Sequence, residues 1–584
     1  MIGIISGVLE NQFEVYVKTP STLNFMNRQI IVENGQTLLL GEPLTYKNNI
    51  LTCLLIGHII NGKFYDGSIE KPILGKNVRQ ITDEEVNLVL SSNHAPHQFE
   101  IGTLPVYNNL KYYININDFF SNHFSILGNT GSGKSCATAR IIQNIFRNEE
   151  IVNQTNLIIF DAFGEYEQAF AGMEDKGTYL KKITTNLNQN EVEIMRIPLW
   201  LLGIDDIALL LQIQKPSELN IIEKALKLVN VFAKDEATIL SQKNSIIAKT
   251  IIDIINSGKS ASIMRDQIIG VLSSFNTSTF NLDTNVVVPG WTRTLKQCLI
   301  IDKDGKMTAI EALTTFVHSF IDNTVELSLP DESFPYTLED LSVALDFALI
   351  SEGLYNSEKR YDDLSVLSLR LNAIINSNTR AYFDFPYHIS RELYVNTLLT
   401  TEKGKASIVN FNINQIDDRF AKTIVKIFSK LFFDVATEIT PRGSKPIHLI
   451  LEEAHRYVQN DIDEEILGYN IFNRITKEGR KYGVLLGLIS QRPSELSETA
   501  ISQCTNFLTL RIVHPKDLEY ISQMIPYMTS EGIKKLQTLP AGHGYGFGSA
   551  FKLTTLIKFE MPNPAPESYN ADIGNIWFKR PTNV

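Results

Sequence analysis

The sequence predicts an α/β fold in three parts. These are an N-terminal β-barrel, a parallel-sheet core, and a helical insertion that splits this core. Three observations predict it. Residues 1 to about 105 hold only short β-branched runs parted by Asn, Gly and Pro. From there, buried-strand patterns alternate with helical ones. Between about 203 and 400 the strand pattern stops and helical periodicity takes over, until the alternation resumes at "KASIVNFNI".

In chain order, "FEVYVKT", "RQIIVEN", "TLLLGEPL" and "ILTCLLIGHII" read as strands. Five or six such strands without a long helix close most simply as a small barrel. Gly57, Gly62 and Gly67 suit its turns. The core opens with "HFSILG", a short apolar strand running into "GNTGSGKS". Gly128, four residues, then Gly133-Lys134-Ser135 is the phosphate-loop spacing. Polyphosphate needs backbone N–H groups aimed inward, so the turn must be nearly free of Cβ atoms. Gly128, Gly131 and Gly133 provide this, and the following helix adds its positive N-terminal end. Gly128, Asn129, Thr130, Gly131, Ser132, Gly133, Lys134, Ser135 and Cys136 are therefore expected to bind ATP. Lys134 reaches the β- and γ-phosphates, and the Ser135 hydroxyl ligates Mg2+.

"NLIIFDAFGEYEQAF" is a buried strand ending at Asp161. "DDIALLLQI", "LNIIEKALKLVNVFA", "KNSIIAKTIIDIINS" and "DLSVALDFALI" are the helices of the insertion. After it, "PIHLILEEAH" makes a strand over Ile447–Leu451 and then presents Glu452 and Glu453. Paired acids at a buried strand end suit a phosphate loop: Glu452 for the Mg2+ shell, Glu453 to orient the attacking water. Acids also favour a plain helix N-terminus. In "VLLGLISQRP", Ser490 and Gln491 follow another apolar run, which makes Gln491 a sensor of the γ-phosphate or part of an ordinary turn. Just before it, "NRITKEGRKYG" gathers Arg474, Lys477, Arg480 and Lys481 at a helix end. Such cations suit the helix dipole. They also suit an arginine finger donated to a neighbouring subunit, with Arg480 ahead of Arg474. The divisions expected are 1–105 for the barrel, 106–202 and 401–560 for the core, 203–400 for the insertion and 561–584 for a C-terminal extension.

The bulk properties narrow the function. The 584 residues, 43% hydrophobic and 20% charged, describe a soluble globular chain of several domains. A net charge of −11 argues against a generally basic nucleic-acid binder but allows a local basic channel. Lys176, Lys181, Lys182, Lys403 and Lys405 are candidate channel cations, although solvated surface lysines look the same in sequence. Cys53, Cys136, Cys298 and Cys504 are scattered without a CxxC, which fits a reducing cytoplasm and no zinc site. "MIGIISGVLENQ" has no basic n-region, and "ILTCLLIGHII" is too short to span a bilayer, so no membrane role is expected. His455 lacks an HExxH partner for metal, and no nucleophile triad is visible.

Together the motifs resemble the HerA–FtsK group of ring ATPases, and HerA most closely. The residues that carry this are "GNTGSGKS", "FDAFGEY", "LILEEAH", the block "RITKEGRKYGVLLGLISQRPSELSETAISQCTNFLTLRI" and "LPAGHGYGFG". The resemblance covers both ends of the chain and the ATPase core; the 203–400 insertion matches only in position and helical character. It implies a RecA-like ATPase core, a homo-hexamer and ATP-driven translocation or unwinding of DNA through a central channel. It also implies a partner docked on the barrel: the NurA nuclease in archaea, and nuclease or sirtuin-like NAD-hydrolysing effectors in bacterial anti-phage defence. Two departures stand out. Phe163 occupies a position where many relatives carry His, and His543 one where an acid is common. An ATP-dependent assembly scaffold, and a secretion or conjugation motor, remain open as other functions.

Overall fold

The computed structural model describes residues 1–18, 28–90, 97–147, 154–173, 177–189, 191–332, 334–353, 358–525, 530–568 and 572–578. Its first seven strands are β1 (Gly3–Val8), β2 (Gln12–Val17), β3 (Ile30–Asn34), β4 (Thr37–Lys47), β5 (Ile50–Ile60), β6 (Lys63–Asp66) and β7 (Asn77–Gln80). They pair in the order β2-β1-β7-β3-β4-β5-β6, and β2 also pairs with β5. Six strands therefore close a barrel, and β6 hangs on β5 outside the ring. Alternation along β2 sends Phe13, Val15 and Val17 inward, against Ile30, Val32 and Leu51. Gly41 sits at a register shift in β4, where a Cβ would lie 2.4 Å from Phe13 Cζ, so the barrel interior closes only over glycine. Ile31, Leu40, Ile56 and Ile59 belong to a second hydrophobic cluster, shared with Phe99, Phe119 and Phe551. Barrel and core thus have a common interior.

The core begins with β8 (Gln98–Leu104), β9 (Leu110–Asn115), β10 (Phe124–Leu127), β11 (Leu157–Asp161), β12 (Tyr179–Thr184) and the two-residue β13 (Glu193–Ile194). A second unit intervenes and carries a hairpin of β14 (Asn285–Val288) and β15 (Trp291–Thr294). The core resumes with β16 (Thr400–Thr401), β17 (Gly404–Asn412), β18 (Ile447–Leu451), β19 (Val484–Ser490), β20 (Asn506–Leu510), β21 (His543–Gly548) and β22 (Thr555–Lys558). Its sheet runs β12-β17-β11-β18-β19-β10-β20-β21-β22-β8-β9. Neighbours from β12 to β20 are parallel, and from β20 to β9 antiparallel. Strands β10, β11, β19 and β20 are buried along their whole length, as parallel strands covered on both faces must be. The architecture is the mixed α/β fold with a barrel that the sequence predicts. Strand β8 lies within the first 105 residues yet pairs in the core sheet, and the same stretch holds the short helix Asp83–Leu90.

Near the C-terminus the chain lies along the helix Lys134–Phe146. Arg140 pairs with Glu560. Gln143 Nε2 donates to the Pro564 carbonyl at 2.8 Å, and its Oε1 accepts the Asn563 N–H at 3.0 Å. The second compact unit comprises Ile194–Tyr394 and Asp461–Asn470. Besides its hairpin it is helical, with Phe232, Phe275 and Phe347 meeting in edge-on and tilted ring contacts at centroid distances of 5.0–5.8 Å. Tyr469 donates to Asp205 at 2.8 Å, tying the short second segment into this unit. Among the described residues, no helix is long and apolar enough to cross a membrane.

Candidate functional site

Parallel strands deliver their carboxyl ends to one edge of a sheet, and ligand sites form there. Here that edge carries the loop after β10, Asp161 at the end of β11, Glu452 and Glu453 after β18, and Gln491 after β19.

The loop after β10 is held at many points. The Gly128 N–H donates to the Ser490 carbonyl at 3.2 Å, and the Asn129 N–H to the Arg511 carbonyl at 2.9 Å. Asn129 Oδ1 accepts the Val513 N–H at 2.9 Å, and Thr130 Oγ1 donates to Gln491 Oε1 at 2.6 Å. The Gly542 N–H donates to the Ser132 carbonyl at 2.9 Å. Gly131 (φ 71°) and Gly133 (φ 95°) adopt left-handed backbone. A Cβ on Gly133 would also lie 2.9 Å from Gly542 N, so this turn requires glycine twice over. The helix Lys134–Phe146 starts directly after it, with Ser135 and Cys136 half-buried in its first turn.

Lys134 Nζ lies 3.4 Å from the Asn129 carbonyl, folded back over the loop. Burial pushes its pKa down, opposed by the nearby charges of Glu453, Glu452 and Glu165. The acids face the opposite penalty. Burial raises Glu452 well above the usual carboxylate range, and hydrogen bonding to Asp161 adds to the shift. Glu452 Oε2 also accepts the Ala162 N–H at 3.1 Å. Asp161 itself accepts the N–H groups of Gly164, Glu165 and Tyr166 at 2.8–3.0 Å, so it fixes the turn that follows β11.

Glu453 stands in left-handed backbone, at φ 49°, which costs a non-glycine residue on the order of 1–3 kcal/mol. Strain of that kind persists where the surroundings over-determine it. Burial raises the Glu453 pKa, while Lys134, Arg456 and the Gln491 N–H oppose the rise. Its Oε2 is buried without a formed hydrogen bond.

Glu165, to which the motif reading gave no role, also meets the phosphate loop. Its carboxyl accepts the Ser135 hydroxyl, its pKa is raised first by burial, and its Oε2 is buried without a partner. The only signal in the sequence is its place in "FDAFGEY". Arg511 is a second such residue: its guanidinium lies 3.4 Å from the Gly131 carbonyl.

The residues present fit Mg2+. Ser135, Glu165, Asp161, Glu452 and Glu453 are hard oxygen donors, and Lys134 is the cation that opposes the carboxyl charges on three of them. Among the described residues no three acidic, His or Cys side chains close on one metal position. Mg2+ in phosphate sites usually keeps several waters and shares its coordination with the phosphates.

Arg480 lies elsewhere. It is exposed near the end of the helix Ile471–Tyr482, and its charge acts on His123, which precedes β10. That is the sheet edge opposite the phosphate loop. Arg474 is exposed too, 3.6 Å from Glu478 and over the Phe433 ring. Of the candidate channel cations, Lys181 is buried, bonded to the carbonyls of Thr397 and Thr400 and paired with Glu193. Lys182 pairs with Glu167 at 2.7 Å, and Lys405 is half-buried, 3.3 Å from Gln154 Oε1. Lys403 is exposed, and Lys176 lies outside the described residues.

A family model described as "Helicase HerA, central domain" matches residues 99–432. The chain is 24% identical over 523 residues to the DNA double-strand break repair helicase HerA of Pyrococcus furiosus, covering 89% of this chain and 79% of that one. It is 24% identical over 537 residues to the probable helicase MJECL08 of Methanocaldococcus jannaschii, covering 89% and 81%. Among solved structures it is similar to VirB4 of Thermoanaerobacter pseudethanolicus, at 14% identity and a TM-score of 0.41 over 80% of this chain and 97% of that one.

Proposed function

The chain belongs to the HerA helicase family and is an ATPase, and from that premise we propose that it is a hexameric motor that translocates DNA through its central channel. One observation carries this reading: the phosphate loop, the paired acids after β18 and the glutamine after β19 share one sheet edge in a HerA-family chain.

In this proposal the phosphate loop and Lys134 hold the triphosphate. Ser135 and Glu452 hold Mg2+, which when bound neutralises charge on the phosphate oxygens. Glu453 orients the attacking water and takes its proton. Gln491, already in contact with Thr130, senses the γ-phosphate. Arg480 faces away from its own phosphate loop, so it serves the site of a neighbouring subunit. The barrel docks the partner, a nuclease or sirtuin-like NAD-hydrolysing effector of cytoplasmic anti-phage defence. Exposed Tyr16, Tyr65 and Ile69 supply apolar surface for it.

The test is ATP turnover by the full chain with and without double-stranded DNA, beside Glu453→Gln as the inactive control. DNA should stimulate turnover. Hydrolysis that is indifferent to DNA would favour the assembly-scaffold role instead.

A further inference from the structure

His455 has no part in the scheme so far, yet it lies between two elements that do. It sits in the 3-10 turn Ala454–Arg456 and is buried. Its Nδ1 lies 3.3 Å from Glu453 Oε2 and 3.2 Å from Ser490 Oγ. Ser490 ends β19, one residue before Gln491, and its carbonyl accepts the Gly128 N–H at 3.2 Å. The imidazole therefore stands between the acid after β18 and the strand end that touches the phosphate loop.

We propose that His455 is the positioning residue for Glu453, holding its carboxylate toward the attacking water through an Nδ1–H bond to Oε2 and keeping it in register with the tip of β19. This rests on the reading of Glu453 as the group that orients the water.

Three observations carry it. Glu453 Oε2 is a buried acceptor without a formed bond, and leaving such an atom unpaired is costly. A neutral imidazole has one N–H, and its neighbours decide which nitrogen carries it. Nδ1 faces a carboxylate and a hydroxyl oxygen that already accepts the Arg492 N–H at 3.0 Å. The carboxylate can only accept, whereas the Ser490 hydroxyl can donate or accept, so it is Glu453 Oε2 that draws the proton to Nδ1. The Gln491 N–H already acts on the Glu453 carboxyl, and Oε2 is the atom left for a second hold.

The experiment compares His455→Ala, His455→Asn and His455→Gln in the full chain, measuring kcat, KM and binding of a fluorescent ATP analogue. An Asn amide N–H reaches the place of Nδ1, whereas a Gln amide reaches that of Nε2. The Ala variant should lose about 10-fold or more in kcat, with KM and analogue binding nearly unchanged. Asn should recover most of the loss, and Gln should not. Adding His455→Ala to Glu453→Gln should slow the residual rate no further. Wild-type kcat in the Ala variant, or equal rates for Asn and Gln, would overturn the inference, and the Asn–Gln comparison still decides if the Ala variant fails to fold. Normal turnover by Glu453→Gln alone would instead overturn the underlying assignment of Glu453.

Discussion

At Glu452 two demands fall on one carboxyl. The fold holds it against Asp161 and the Ala162 N–H, while burial raises its pKa far above the usual range. Its folded pKa exceeds its unfolded one, so the folded state binds the extra proton. That contribution is complete at low pH and is lost as pH rises above the ordinary carboxylate range. The shifts at Glu165 and Glu453 have the same direction. Above the histidine range, where the buried His123, His448 and His455 no longer add stability as pH rises, the protein without nucleotide should therefore melt lower as pH increases. Glu452→Gln should raise its melting temperature at pH 8 by on the order of 1–3 °C, and should also raise the Mg2+ concentration needed for ATP hydrolysis. A Gln variant that melts lower than wild type at pH 8 would contradict this account. Lys134→Ala should reduce turnover by about 100-fold or more, since it removes a charge aimed at the transition state. Near-normal turnover in a folded variant would mean that the site is misplaced.

The phosphate loop shows what an element can reveal before its structure is known. Its glycines are local: spacing alone marks Gly128, Gly131 and Gly133, and β18 and β19 announce themselves as apolar runs ending in polar residues. What stayed hidden is long-range. Glu165 meets Ser135 across 30 positions of chain, and Gly542 reaches Ser132 across 410. No periodicity encodes such distances. Strand β8 was illegible for the same reason, because its partners β9 and β22 stand on both sides of the phosphate loop in sequence. The β14–β15 hairpin was masked by the helices around it. A prediction belongs to this scale. Gly133→Ala puts a Cβ 2.9 Å from Gly542 N in a backbone at φ 95°, and should cost about 1–3 kcal/mol and weaken ATP binding. Nucleotide titration of the folded variant checks this, and unchanged affinity would contradict it.

For the whole molecule, the proposed ring makes a clear demand of the exposed Arg480 on the far edge of the sheet. Arg480→Ala should bind ATP but hydrolyse it poorly. Mixed with Lys134→Ala, it should regain part of the activity, because some interfaces then join an intact loop to an intact arginine. No recovery in rings shown to contain both variants would count against a finger acting between subunits. The barrel calls for a gentler test than removal. Deleting residues 1–100 also takes Phe99 and part of β8 out of the core, so loss of partner binding would then say nothing specific. Tyr16→Ser with Tyr65→Ser leaves the interior intact, since both side chains are exposed. It should weaken partner capture while ATP turnover persists; undiminished capture would put the docking surface elsewhere.

The interior common to barrel and core has a last consequence, for how long the protein survives in a cell. With Ile31, Leu40 and Ile56 packed among the same residues as Phe99 and Phe551, the two parts should open together, as one calorimetric transition. In the proposed complex, a partner bound to the barrel would then protect the distant ATP site by mass action alone. Chains made in excess of their partner would be degraded faster along their whole length, and the supply of partner would set the abundance of the motor. Pulse-chase half-lives with and without co-expressed partner would measure it.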